Sequence, residues 1–122
     1  MHYKRIELKV TNQGIHERKI FQGVKIFNRS KLSKDQKSIL TQKLYLTPKQ
    51  NIVYYQRTDV NYDQNWHHNK DYYELAYDQL DRETVFKVCL DFDELSPFLE
   101  NELLEKLKEK QSAGKFFEKL DI

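Results

Sequence analysis

The chain has 122 residues, enough to bury one hydrophobic core, and we expect a single domain spanning residues 1–122. Only 39% of the residues are hydrophobic and 33% are charged, but an aromatic fraction of 13% excludes the aromatic-poor composition of disordered chains. The single cysteine excludes an internal disulfide. The first residues alternate like a strand and no apolar run reaches membrane-spanning length, so we expect a cytoplasmic protein without a signal peptide or a membrane partner.

Charge is divided unevenly along the chain. Residues 1–50 hold 12 Lys and Arg against 3 Asp and Glu, a balance of +9, whereas residues 51–122 hold 9 against 16, a balance of −7. A basic half can form a face that attracts phosphate or an acidic partner. The alternative is that strands from the two halves are neighbours in one sheet and neutralise each other. A self-complementary homodimer lies between these two interpretations.

Alternating apolar residues predict strands in the first third of the chain. Residues 5–10 alternate strictly, and the turn after them contains Gly14, which is free to take a positive φ. A second strand is predicted over residues 16–27, in which Gly23 marks a bulge or a bend. The polar, lysine-rich residues 28–38 predict an exposed connection or one short helical turn.

A β-hairpin is predicted over residues 43–55, where two alternating apolar segments flank a polar turn at 47–51. Pro48 presets φ for the turn, and Asn51 tolerates the left-handed backbone region that such turns often need. The return strand is predicted to end at Arg57.

The next segments predict a loop over residues 58–70, a strand over 71–80 and a further strand over 84–92. Strict alternation in the last of these strands separates a core face from a wet face. The predicted core face carries Phe86, Val88, Leu90 and Phe92, and the predicted wet face carries Lys87, Cys89 and Asp91.

A helix follows, with Ser96 as its expected N-cap, Pro97 at its first position and an end at Gly114. Its apolar stripe consists of Leu99, Leu103, Leu104 and Leu107. Together the elements predict an α+β fold: a mainly antiparallel sheet of about six strands, able to curl into a partial barrel, with one C-terminal helix packed on it.

The tail ends Glu118-Lys119-Leu120-Asp121-Ile122. This ending resembles the C-terminal Glu-x-Leu-Asp-Ile motif that gives the bacterial EXLDI family its name. The resemblance also takes in the hairpin and the segment 90–95, so it is clearest over residues 43–122. Members of that family tend to have glycine where Gln50 stands. The function of the family is uncharacterised, so the resemblance implies a bacterial origin and a similar fold but no reaction.

The tail is also a candidate interaction motif. As a strand, it would place Leu120 and Ile122 on one face, with Asp121 on the other and Glu118 at its start. Such a segment can add to an exposed sheet edge of its own protomer or of a partner. The alternative is that its apolar residues cap the core of their own protomer.

Three aromatic residues are the candidate ligand-binding set. Tyr54, Tyr73 and Trp66 combine large apolar area with a polar tip and could line a pocket. Aromatic residues on a basic sheet also fit single-stranded nucleic acid. The alternative is a tyrosine-rich sheet that is stabilised by cross-strand aromatic pairs.

The sequence predicts no catalytic, cofactor or metal site. Trp66-His67-His68 has no third ligand at metal-binding spacing, and Cys89 has no partner motif for a nucleophile. Asp91, Asp93 and Glu94 fit a solvated strand-to-helix junction better than an acid-base pair. The sequence therefore favours a small non-enzymatic binding or interaction module, as a homodimer or with a protein partner. The alternatives are a small-molecule binding protein with an aromatic pocket and a regulator that contacts nucleic acid through residues 1–50.

Overall fold

The computed structural model describes residues 3–60, 84–114 and 116 of the chain. They form an α+β fold, which confirms the predicted class: an antiparallel sheet curled into a half-barrel, with one C-terminal helix. The elements are β1 Lys4–Asn12, β2 Ile15–Leu32, β3 Ser38–Leu46, β4 Ile52–Val60, β5 Thr84–Cys89, a 3-10 turn Phe92–Leu95, and α1 Asn101–Ser112. In the described part the sheet has five strands instead of about six, in the order β1-β2-β3-β4-β5. The strand predicted over 71–80 and the tail lie outside the described residues.

The tight turn between β1 and β2 follows the prediction. Gln13 and Gly14 both have positive φ, 52° and 79°, which is the geometry of a type I′ hairpin turn. In the β3–β4 turn, however, the residue with positive φ is Gln50, at 66°, and not Asn51 as predicted. Asn51 instead closes the turn, since its N–H donates to the Thr47 hydroxyl at 3.1 Å.

Strand β2 continues five residues past its predicted end, to Leu32. Residues 28–32, predicted as part of an exposed connection, pair with residues 39–43 of β3. Their polar composition does not oppose strand formation, because this end of the sheet faces solvent on one side. Strand β4 likewise continues past its predicted end, to Val60.

Gly23 lies where β2 changes partners. The residues before it pair with β1, and the residues after it pair with β3, with a register shift between Lys25 and Phe27. A Cβ atom on Gly23 would lie 2.9 Å from the ring of Phe21 and 3.3 Å from the carbonyl oxygen of Leu46. The irregularity predicted at Gly23 therefore lies just after it, between Lys25 and Phe27, and at Gly23 itself the chain passes too closely for a side chain.

The strands β3, β4 and β5 are covered on both faces, so the molecule has two apolar clusters. On the helix face, the side that packs against α1, the buried residues are Leu44, Leu46, Ile52, Tyr54, Cys89, Phe92, Leu95, Leu99, Leu104 and Leu107. On the opposite side, here called the hairpin face, β1 and the first half of β2 fold back over the sheet. The buried residues there are Leu8, Tyr45, Val53 and Tyr55. This folding back of the first hairpin gives the half-barrel its curl.

Double-sided cover explains why the predicted faces of β5 were wrong. Cys89 is 1% exposed and packs on the helix face, whereas Val88 and Leu90 are 54% and 79% exposed. Phe86 is half-buried on the hairpin face, and Phe92 is buried in the 3-10 turn. Both faces of the strand carry core residues, so the alternation of apolar and polar residues does not show which face is exposed to solvent.

The predicted start of the helix was also wrong. Asp91 caps the 3-10 turn: its carboxylate accepts the Glu94 N–H, and the Glu94 carboxylate accepts the N–H of Leu90 and, at the longer distance of 3.3 Å, that of Asp91. Ser96 therefore follows this turn as its C-cap, and α1 begins five residues later at Asn101. The capping box of Asp91 and Glu94 stabilises the 3-10 turn, and Ser96 belongs to the end of that turn and does not start a helix. The predicted end is confirmed, since Gly114 has a φ of 69°.

An ion pair holds the start of α1 against the sheet. Arg29 of β2 donates to both carboxylate oxygens of Glu100, each at 2.8 Å, and to the side-chain oxygen of Gln42. The Gln42 amide in turn donates to Tyr54 Oη at 3.0 Å and to the Phe98 carbonyl at 3.1 Å. The hydrogen bond from Arg29 lowers the pKa of Glu100 to about 2. This network fixes the segment that leads into α1.

Candidate binding cleft and basic face

A cleft of about 550 Å³ opens where the folded-back hairpin meets β4 and β5. It is lined by Lys9, Val10, Thr11, His16, Glu17, Arg18, Tyr55, Arg57, Asp59 and Thr84. One wall comes from the turn end of β1 and β2, and the other comes from the ends of β4 and β5 that lie next to it. The curl of the half-barrel thus creates the cleft, because it brings the two edge strands together at one end.

Tyr55 forms the inner end of the cleft. Its ring is 3% exposed and packs in the hairpin-face cluster, and its hydroxyl donates to the carbonyl oxygen of Lys9 at 2.7 Å. The ring is therefore not available for stacking on a ligand, although its hydroxyl helps to hold the two walls at a fixed separation.

Two threonines, Thr11 and Thr84, close the inner end of the cleft. The Thr84 hydroxyl bonds to the backbone of Thr11, and the Thr11 hydroxyl lies 3.0 Å from His16 Nδ1. Thr11 is 5% exposed, one of two buried polar residues among those described. These bonds fix the position of the His16 ring at the cleft rim.

The rim of the cleft carries both signs of charge. Lys9 and Arg18 are direct cross-strand partners, so two cations stand opposite each other on the first hairpin. Arg18 is 3.2 Å from Glu7, and Arg57 on the other wall is 2.9 Å from Asp59. The arginines are therefore held in place by one carboxylate each, while Lys9 has no ion pair within the described ranges.

A second group of cations extends from the cleft across the hairpin face. Lys25 of β2 stands opposite Tyr45, Lys43 of β3 stands opposite Tyr55, and Arg57 belongs to β4. From one strand to the next, each of these residues lies two positions along from the residue directly opposite the previous cation. The three therefore form one diagonal row. We call Lys25, Lys43 and Arg57 the basic face.

Among the described residues, one member of the basic face, Arg57, has a carboxylate partner, Asp59. Neither Lys25 nor Lys43 has a carboxylate partner within residues 3–60, 84–114 and 116. Burial, together with the positive charges of Lys25 and Arg57, holds the pKa of Lys43 below its usual value. Burial and the two neighbouring positive charges both destabilise the charged form of this ammonium group, and the negative charge of a bound anion would compensate for them.

Of the predicted ligand-binding and interaction residues, Tyr54 alone lies within the described part of the chain. Tyr54 is fully buried: its hydroxyl accepts from Gln42 and donates to Gln56 at 2.5 Å, and its ring stacks on Phe98 at 4.9 Å. Burial raises its pKa. Tyr54 therefore serves the core, and it lines neither the cleft nor the basic face. The other predicted ligand and interaction residues lie outside the described residues: Tyr73, Trp66, Glu118, Leu120, Asp121 and Ile122.

The remaining chemically suggestive residues have structural partners. Burial raises the pKa of the Cys89 thiol, so the reactive thiolate is disfavoured. Asp91 and Glu94 cap the 3-10 turn, and Asp93 pairs with Lys108 of α1. Within the described ranges, no three His, Cys, Asp or Glu side chains come together as a metal site. No helix in the described part is long and apolar enough to cross a membrane.

Comparison with known proteins adds no further information about the site. No protein-family model matches the chain, and neither the curated proteins nor the solved structures include one that is significantly similar to it. The candidate site therefore rests on the geometry of the chain itself.

The basic half predicted from the sequence, residues 1–50, contains Lys25 and Lys43 but not Arg57, and the sequence did not select the residues that come together. Lys43 was part of the predicted hairpin, and its alternation with Leu44 does place it on the face away from α1. Arg57 was assigned only as the end of a strand. The usable signal would have been the hairpin register, since it puts Lys43 and Arg57 on the same face, one diagonal step apart.

Proposed function

We propose that this protein is a small non-enzymatic binding module that recognises an anionic partner through the basic face and the adjoining cleft. Arg57 belongs to both, so the two form a continuous surface. The proposal keeps the class that the sequence favours and selects a surface for it.

The observation that carries the proposal is the position of Lys43. Its ammonium group is half-buried between Lys25 and Arg57 and lacks a carboxylate partner within the described residues. Positive charges that are uncompensated and pre-positioned on a rigid sheet have little reorganisation to undergo when an anion binds. Lysine and arginine in such a cluster favour phosphate or sulfate groups, which accept several hydrogen bonds at once.

The carboxylates near the cleft support binding over catalysis. Glu17 lies 2.8 Å from Lys19, and Asp59 lies 2.9 Å from Arg57, so each forms an ion pair with a cation. A general base needs a free position near a reacting proton, and these two groups are committed to ion pairs instead. The described arrangement can hold and orient an anion.

Pyrophosphate titration tests this function. The chemical shifts of the backbone amides would be followed by NMR while sodium pyrophosphate is added at constant ionic strength. Saturable shifts are expected at residues 25, 43 and 57. Lys43→Gln should weaken the binding, and Lys106→Gln, which removes the same charge from the exposed side of α1, should not. An absence of shifts at the basic face, or equal affinity of the two variants, would contradict the proposal.

Membership of the EXLDI family and the interaction role of its motif are separate proposals; the first is supported by the sequences of the tail, the hairpin and the segment 90–95, and the second by the tail alone. Deleting residues 118–122 would test the role of the motif. A changed oligomeric state or a lost protein partner, with an intact fold, supports an interaction surface. Loss of the whole fold would show instead that the tail belongs to the core.

A further inference from the structure

The geometry points to the phosphate backbone of a nucleic-acid strand as the anion that lies along the basic face, contacted without recognition of its bases. This inference rests on the proposed function, since it names the class of anion. Three observations on the described residues lead to it: the spacing of the cations, their place on the sheet, and the burial of the neighbouring aromatic rings.

The spacing of the cations requires an extended ligand. Lys25, Lys43 and Arg57 lie on β2, β3 and β4, and each step is displaced by two residues in the same direction along the strands. Diagonal neighbours in a sheet are about 7–8 Å apart, so the ends of the row are roughly 15 Å apart. A single phosphate can bridge two adjacent cations but not the whole row. A ligand with negative charges at regular intervals can contact all three.

The row can continue beyond Arg57 into the cleft. There Lys9 and Arg18 line the opposite wall beside Glu17, so a strand leaving the basic face meets two more cations and one carboxylate. Charge repeated along a path is typical of surfaces that follow a nucleic-acid backbone. A mononucleotide-sized ligand would need its cations around one point.

The place of the row on the sheet separates a nucleic acid from an acidic peptide. Extended peptides bind well where they can add to an unpaired strand edge and form main-chain hydrogen bonds. The basic face instead crosses the middle of the sheet, where β3 is paired on both sides, with β2 and with β4. A peptide lying there could not form main-chain hydrogen bonds with the sheet and would lose the contribution that favours extended peptides, whereas a phosphate backbone binds through its charge and does not need them.

Burial of the aromatic rings indicates that bases are not read. Tyr45 and Tyr55, which stand opposite Lys25 and Lys43, are 4% and 3% exposed and pack beneath the folded-back hairpin. Proteins that hold single strands by stacking expose such rings to the bases. Binding at this face is therefore expected to be electrostatic and independent of base sequence.

The test is the binding of a fluorescein-labelled 15-nucleotide oligothymidylate by anisotropy, across a range of sodium chloride concentrations. Each phosphate contact on a single strand contributes a slope of about −0.7 in log affinity against log salt, so three contacts predict about −2. Losing one contact then costs about fivefold in affinity at 0.1 M salt. The double variant Lys25→Gln/Lys43→Gln should weaken binding by about 25-fold and flatten the slope by two contacts.

The control variant Lys106→Gln/Lys110→Gln removes the same net charge from the exposed side of α1 and should bind like the unaltered protein. An oligoadenylate of equal length should bind with similar affinity, and a strong preference for one base would overturn the absence of base recognition. Pyrophosphate binding without oligonucleotide binding would overturn this inference and leave the proposed function intact. If neither pyrophosphate nor the oligonucleotide binds at the basic face, both this inference and the proposed function are contradicted.

Discussion

Thr84 on β5 completes the backbone hydrogen bonding of Thr11 on β1. Its hydroxyl accepts the Thr11 N–H at 2.7 Å and donates to the Thr11 carbonyl at 2.9 Å. A side chain thereby substitutes for the neighbouring strand at the point where the two ends of the sheet meet. The Thr84 hydroxyl thus joins the two edge strands of the half-barrel at this end, and the bond from Tyr55 to Lys9 joins β4 to β1.

Replacing this hydroxyl is expected to destabilise the fold. Thr84→Val keeps the shape of the side chain but leaves two backbone groups of the buried Thr11 without their partner. Unsatisfied groups of this kind predict a loss of about 2 kcal/mol, measured by urea denaturation. Thr84→Ser, which keeps the hydroxyl, is the matched control. Equal stability of the Val variant and the unaltered protein would show that the contact does not hold the edges together.

The ion pair between Arg29 and Glu100 predicts a loss of stability in acid. The pKa of Glu100 in the folded protein is about 2, below its ordinary value of 4.5. A depressed pKa means that the stabilising contribution is complete above about 4.5 and is lost as the pH falls through about 2. Because Glu100 is exposed, we expect only about 0.5 kcal/mol.

Glu100→Gln should therefore lower the melting temperature slightly at pH 7 and leave it unchanged near pH 2. Glu102→Gln, on an exposed residue of the same helix, serves as the control. A pH-independent effect of Glu100→Gln would contradict an electrostatic origin of the contribution.

Gln50 is expected to be a site where glycine stabilises the fold. Its φ of 66° lies in the left-handed region, which costs a residue with a Cβ atom about 1 kcal/mol or more. Gln50→Gly removes this cost but increases the entropy of the unfolded chain by about 0.5 kcal/mol, so a net gain of roughly 0.5 kcal/mol is expected. Gln50→Val should destabilise, since a β-branched residue is poorly tolerated there. Denaturation midpoints of the two variants provide the comparison.

Lys43 should show opposite effects on stability and on binding. Its pKa is lowered in the fold, so its charge destabilises the native state at neutral pH, and this penalty is relieved as the pH rises towards 10.5. Lys43→Met should then raise stability at pH 7 by up to about 0.5 kcal/mol, given solvent screening, while it weakens anion binding. Lys34→Met, in the exposed β2–β3 connection, should do neither. A less stable Lys43→Met variant would argue for a structural role of this lysine.

The strands and their connections could be predicted where one signal acts alone. Gly14 has the positive φ that its turn requires, and the leucine stripe of α1 predicts the buried residues Leu104 and Leu107. Prediction failed where two local signals compete. Ser96 is a residue type that is favoured as an N-cap. Asp91 and Glu94, however, lie earlier in the chain and form the capping box of the 3-10 turn, which leaves Ser96 as the C-cap of that turn.

The assignment of faces failed for a different reason. Alternation identifies the buried side of a strand only if the other side is wet. In β5, Cys89 faces the helix and Phe86 faces the first hairpin, so both registers contain core residues. The basic face depends on the same long-range pairing: Lys43 is one of many lysines in the sequence until the register places it beside Lys25 and Arg57.

The order of the strands has a consequence for the folding pathway. Each described strand pairs with the next described one, and β1 to β4 are joined by short connections, so this part of the sheet can assemble hairpin by hairpin with little entropy lost in closing loops. The contact between Thr11 and Thr84 spans 73 residues and is expected to form last. Thr84→Val should therefore accelerate unfolding and leave the refolding rate nearly unchanged, which stopped-flow kinetics can measure.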